Sequence, residues 1–205
     1  MKKLMIAAVA LLAAGNSYAQ TEWTVGLQNR FNFAKSQGYW EEQKLRLESV
    51  DTWVFGELKT NGLRFRLGPS YMRTDMGEQL FGFCATRPLT TYTMIDHRLG
   101  YRLAAGREFS LGKAGSLTLW AEMQQYWLVD VPSPYGNDVI MIMILPEDPT
   151  QQTYFGTSIG VEYNKVFFEH LLIGAGVNGT YVHSPTDGRM SPFKIGGSLA
   201  ISYRF

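Results

Sequence analysis

"SLAISYRF", Ser198 to Phe205, closes the chain on a polar/apolar alternation that runs to its last residue. In an extended segment Leu199, Ile201, Tyr203 and Phe205 share one face, and Ser198, Ser202 and Arg204 share the other. Soluble domains tend to fray into a polar tail. A strand that keeps its pattern to an aromatic end needs a pairing partner. In a closed sheet that partner is the first strand.

The same period of two recurs upstream. In "EWTVGLQNRFNF" one face carries Trp23, Val25, Leu27, Phe31 and Phe33, and the other Gln28, Arg30 and Asn32. In "SLTLWAEMQQYW" Leu117, Leu119, Ala121, Met123 and Trp127 oppose Thr118, Trp120, Glu122, Gln124 and Tyr126. "TYFGTSIGVEY" and "LLIGAGVNGTY" alternate in the same way. Asn61-Gly62, in "ELKTNGLRFRL", is the strongest short hairpin signal because both residues tolerate positive φ. With those two at the tip, Thr60 pairs with Leu63, Glu57 with Arg66, Leu58 with Phe65, and Phe55 with Gly68.

The pattern predicts strands over 22–34, 48–59, 63–72, 91–105, 115–128, 153–164, 169–182 and 193–205. The turns at 60–62, 112–115 and 164–168 are short. The connections at 35–47, 73–90, 129–152 and 183–192 are long. Long and short connections alternate, as in a barrel with turns on one side of a membrane and loops on the other. The expected fold is all-β: a closed antiparallel up-and-down transmembrane barrel of eight strands, with ten as the alternative. Aromatic residues near predicted strand ends (Trp23, Phe33, Tyr71, Trp127, Phe155, Tyr163, Tyr181, Phe193, Tyr203 and Phe205) read as two interfacial girdles.

Residues 1–19 read as a secretory signal. Lys2 and Lys3 precede an apolar run from Leu4 to Ala14, with small residues at Ser17 and Ala19 before the expected cut. Residues 20–205 are then one domain. Nineteen basic against eighteen acidic residues give no basis for nucleic-acid binding. Cys84 is the single cysteine and cannot form a disulfide within the chain.

The terminal "YRF", with Tyr203 two residues before Phe205, resembles the C-terminal signature of Gram-negative outer-membrane β-barrels. Signal, strand number and loop asymmetry agree with it along the whole chain. In size the chain is similar to the small eight-stranded barrels called OmpA-like, OmpX-like and OmpW-like. The resemblance implies a place in the outer membrane among lipid and lipopolysaccharide. It also implies that barrel-assembly machinery reads Tyr203 and Phe205 during insertion.

Strand parity points Arg30, Glu57, Arg64, Arg66, Asp96, Arg98, Arg102, Glu122, Glu162, Lys194 and Arg204 into the lumen. A barrel of eight strands is just wide enough to hold side chains, so these charges are expected to pair and fill it. Basic residues outnumber acidic ones in that set, which favours a narrow anion-biased channel as the alternative. His183, Ser184 and Asp187 are the residue types of an acyl-transfer site, and a lipid A-modifying acyl hydrolase is a second alternative. Adjacent His and Ser project to opposite faces of a strand, however, and Asp187-Gly188 reads as a turn. His97 and His170 show no metal-ligand spacing. No catalytic residues, metal or cofactor are therefore expected. The work is expected to be structural or surface-interactive, with the surface ligand left open. Val139 to Leu145, seven apolar residues in a long connection, reads either as a loop contact or as extra strand.

Overall fold

The computed structural model describes residues 21–35, 45–81, 90–130, 153–183 and 192–205. The signal, Cys84, Val139–Leu145, Ser184 and Asp187 lie outside the described residues. The elements are β1 (Glu22–Lys35), β2 (Leu45–Thr60), β3 (Leu63–Phe81), β4 (Thr90–Ser110), a 3-10 turn (Gly112–Ala114), β5 (Ser116–Asp130), β6 (Thr153–Phe167), β7 (Leu171–Val182) and β8 (Phe193–Arg204). Each strand pairs antiparallel with its neighbours in sequence, and β1 pairs with β8, so the sheet closes with eight strands. The ten-stranded alternative has no place in that wall. No helix among the described residues is long and apolar enough to cross a membrane.

The closing seam runs from Thr24 opposite Arg204 to Phe33 opposite Ile195. Beyond it the Phe205 N–H donates to the Trp23 carbonyl at 3.0 Å. The terminal alternation therefore ends in a hydrogen bond to the first strand, and the seam leaves no strand edge unpaired there.

The β2–β3 hairpin has the register that Asn61-Gly62 predicts, with Thr60 opposite Leu63 and Glu57 opposite Arg66. Asn61 and Gly62 take φ of 50° and 74°, the left-handed geometry of a two-residue hairpin turn. The β6–β7 turn sits later than expected, at 168–170, because β6 continues to Phe167. Phe168 and Glu169 both take positive φ there, without a glycine to mark the turn. β3 runs past its expected end at 72 to Phe81, and β4 past its expected end at 105 to Ser110. The β3–β4 pairing slips between Asp75 and Glu78, which breaks the period of two a few residues beyond the end expected for β3.

Candidate functional site: a charged lumen inside an apolar wall

The wall is apolar outside and charged inside. Outward positions include Val25, Leu27, Leu67, Leu103, Ile159, Val177, Leu199 and Ile201, all exposed. Inward positions hold six basic and six acidic side chains, none more than 6% exposed. In water this arrangement would expose nearly every large aliphatic residue of the wall while burying its ions. It suits a hydrocarbon surround, where backbone polar groups are satisfied within the closed sheet. The expected girdle aromatics point outward. At the long-connection end stand Phe33, Tyr71, Trp127, Phe155, Tyr181 and Phe193; at the turn end stand Trp23, Tyr163, Tyr203 and Phe205.

The lumen charges form a continuous chain of contacts. Arg64 of β3 reaches Glu57 of β2 at 2.6 Å and Thr118 of β5 at 3.0 Å. Arg66 pairs with the other oxygen of Glu57. Its two terminal nitrogens then grip both oxygens of Glu162 on β6, at 2.8 and 2.7 Å. Gln28 of β1 donates to Glu162 at 2.9 Å and accepts from Arg102 of β4 at 3.3 Å. Arg102 bridges Glu122 at 2.7 Å and Asp51 at 3.1 Å. Arg30 binds both oxygens of Glu122, at 2.8 and 2.6 Å. The chain joins β1 to β6 across the barrel, and its paired geometry offsets the cost of burying each ion.

Aromatic faces fill the remaining width. The Arg66 guanidinium lies over the rings of Phe55 and Trp120, 4.4 and 4.3 Å from their centroids. Arg102 stacks on Trp53 at 4.2 Å. Glycines opposite them on the neighbouring strands make room for these rings. A Cβ on Gly106 would meet Trp120 at 2.6 Å, and one on Gly26 would meet Phe55 at 2.5 Å. Toward the long-connection end Met72, Tyr126, Tyr154 and Val182 form an apolar layer. Lys194 pairs with Glu48 at 2.9 Å, and Arg98 with Asp96 at 2.6 Å. From the turn end a cavity of about 190 Å³ enters the barrel, and Glu57 and Arg64 are among the residues that line it.

Ten of the eleven lumen positions named from the sequence are buried inside: Arg30, Glu57, Arg64, Arg66, Asp96, Arg98, Arg102, Glu122, Glu162 and Lys194. Arg204 lies at the turn-end rim instead, its side chain 30% exposed, 3.6 Å from Glu22. Asp51 and Glu48 complete the set and were missed. Parity carried two residues at a time from Glu57 through Phe55 and Trp53 reaches Asp51, so that signal was present. Glu48 was hidden, because a bulge in β2 opposite Asn32 and Phe33 buries both Glu48 and Ser49. With both acids counted, the buried charges balance, six against six. The excess of basic residues behind the anion-channel alternative is absent from the described lumen.

The histidines sit on the outer surface. His97 hydrogen-bonds the Tyr71 hydroxyl, His170 stacks on Tyr203, and His183 contacts Thr157 Oγ1 at 2.9 Å. His183 thus engages β6 on the outside of the wall. No group of three metal-ligating side chains occurs among the described residues.

Comparison with known proteins gives a likeness of fold at low sequence identity. No family model matches the chain, and no curated protein matches it. Neisserial surface protein A superposes with a TM-score of 0.53 at 14% identity, over 89% of this chain and 95% of that one. The N-terminal barrel domain of Pseudomonas aeruginosa OprF gives 0.44 at 13% identity, covering 92% and 100%. Yersinia pestis Ail, the attachment invasion locus protein, gives 0.42 at 14%, covering 90% and 98%. The chain has the closed eight-stranded up-and-down barrel fold of the neisserial surface protein.

Proposed function

We propose that this protein is a non-conducting barrel of the bacterial outer membrane, without catalytic activity, whose work is done at the surface by its long connections. One observation carries the reading: a charge-balanced, hydrogen-bonded ion network runs across the lumen from β1 to β6. A permeant ion would have to displace paired side chains, each pairing formed in a site with little water. The apolar exterior and aromatic girdles support a membrane location, and the fold likeness to a protein named for the surface points the same way. On this reading Tyr203 and Phe205 serve insertion, and lipid and lipopolysaccharide surround the wall. The ion network is structural, a bolt that fixes the barrel's cross-section.

Planar bilayers test it. The wild-type protein is expected to give no resolved single-channel steps. Regular steps whose size changes in Arg66→Gln or Arg102→Gln would establish the narrow-channel reading in its place.

A further inference from the structure

One polar pair interrupts the lipid-facing wall at depth. Asn29 and Thr52 face outward and stand opposite each other on β1 and β2. Thr52 Oγ1 donates to Asn29 Oδ1 at 2.8 Å, and the Asn29 amide nitrogen has no partner among the described residues. On its other side Asn29 pairs with Leu199, which lies midway along β8 between the girdle residues Phe193 and Phe205. Other outward polar pairs, Tyr101 with Gln125 and Thr157 with His183, stand beside the girdle residues Trp127 and Tyr181. Headgroups and water are within reach there. At the level of Leu199 only acyl chains are, and they accept no hydrogen bond. An amide N–H left unpaired in hydrocarbon is costly.

The surroundings of Asn29 admit another backbone. Gly197 of β8 stands opposite Phe31, and Gly56 of β2 opposite Val25, so a glycine flanks β1 on either side. Both face outward. A Cβ on Gly56 would meet nothing within 4 Å, and one on Gly197 only the Gly176 carbonyl oxygen, at 4.0 Å. The packing of the barrel itself therefore requires neither glycine. Lipid tails are as apolar as leucine, so an apolar wall alone gives no drive to associate in a bilayer. Between membrane helices small residues and polar side chains supply that drive. Here β1 carries the polar side chain and its two neighbours carry the small ones.

We propose that the β8–β1–β2 face joins two copies of this chain in the membrane, with Asn29 of each hydrogen-bonded to Asn29 of the other. Copies inserted the same way up can share a two-fold axis only along the membrane normal, and that axis sets each residue against residues at its own depth. Asn29 is self-complementary there. The free amide N–H of one copy donates to Oδ1 of the other, and the reverse; each oxygen has a second lone pair beside the one Thr52 uses. A lipid headgroup cannot reach this level. An unrelated protein would have to bring an acceptor to the same depth, which a second copy does by symmetry. Two convex barrel walls meet along one strand and its neighbours, and Gly56 and Gly197 lie on those neighbours. The inference rests on the membrane reading above and adds self-association to it.

Sedimentation equilibrium of the refolded protein in density-matched detergent micelles tests it, over a range of protein-to-detergent ratios. Wild-type protein is expected to pass from dimer to monomer as it is diluted with micelles. The double variant Asn29→Leu, Thr52→Val removes both ends of the polar pair, so neither is left without a partner. Its dimer should be about tenfold weaker, the worth of two hydrogen bonds inside a bilayer. Gly197→Ile adds bulk to the face with a residue that favours strands, and should weaken the dimer likewise. Mobility of unboiled samples on a denaturing gel confirms that each variant is folded. A folded wild-type protein that is monomeric at every ratio would overturn the pairing and leave the barrel standing. A dimer equally strong in both variants would place the contact elsewhere and overturn the site. Protein that stays dispersed in plain buffer without detergent would instead remove the membrane reading on which the inference rests.

Discussion

Glu122→Gln is expected to destabilise the folded barrel by about 3–5 kcal/mol, the usual cost of removing one partner from a buried ion pair. The substitution nearly preserves volume, so it isolates charge from packing. Glu122 holds two guanidiniums. Arg102 also has Asp51 at 3.1 Å, but Arg30's other contact described here is the Ser158 hydroxyl at 3.4 Å. Arg30 is 2% exposed and would lose the carboxylate that its Nη2 nitrogen binds at 2.8 and 2.6 Å. Urea titration of the barrel in detergent micelles, followed by tryptophan fluorescence, reads the change as a lower midpoint. Replacing Arg30, Arg102 and Glu122 together by apolar residues of similar volume should recover much of the loss, because a well-packed apolar cluster can match a buried ion network. A midpoint unchanged in Glu122→Gln would mean that water reaches this carboxylate and that the lumen is open.

Gly68→Ala and Gly56→Ala should move stability in opposite directions. The ladder between β2 and β3 is broken at Val54–Phe55 against Gly68–Pro69, where Pro69 has no N–H to give. Trp53 Nε1 donates to the Gly68 carbonyl at 3.2 Å, so the two backbones lie close there. A Cβ on Gly68 would overlap the Val54 carbonyl oxygen and approach the Phe55 backbone to 2.9 Å. Backbone cannot swing away as a side-chain end can, and the expected loss is about 3 kcal/mol or more. Gly56 is two residues from Val54 and faces outward, with nothing within 4 Å of a Cβ. Alanine there should stabilise by about 0.5–1 kcal/mol, because glycine gives up more backbone freedom in a strand. Refolding yield and urea midpoint check both variants. A tolerated Gly68→Ala would show that β2 and β3 are not in this register.

Much of this was legible in the chain itself. Alternation placed all eight strands, and Asn61-Gly62 set the β2–β3 register residue by residue. The terminal alternation of Leu199, Ile201, Tyr203 and Phe205 announced the seam with β1. What stayed hidden has two physical sources. Bulges reverse the parity on which inside and outside depend, and for that reason Glu48 was lost and the outer part of β3 was cut short. Contacts between strands distant in sequence leave no local trace. Nothing in "VDTWVFGEL" or "SLTLWAEM" says that Phe55 and Trp120 both meet the Arg66 guanidinium. Nor does "GVNGTY" distinguish Gly179, open to the outside, from Gly176 three residues earlier on the other face, whose Cβ would press on the Val161 carbonyl oxygen at 2.7 Å. Parity found the charges, but charge balance, and with it the reading of the lumen as a bolt, needed the register.

The central claim is a closed barrel whose outside belongs in a membrane. The most direct measurement is mobility on a denaturing gel, with unboiled and boiled samples of the protein refolded in detergent or lipid vesicles side by side. A closed barrel with a bolted lumen resists the detergent at room temperature and is expected to run as a compact, faster band that shifts to the slower unfolded position on boiling. A single band at the unfolded position in both lanes, from protein that stays soluble in plain buffer, would contradict the account.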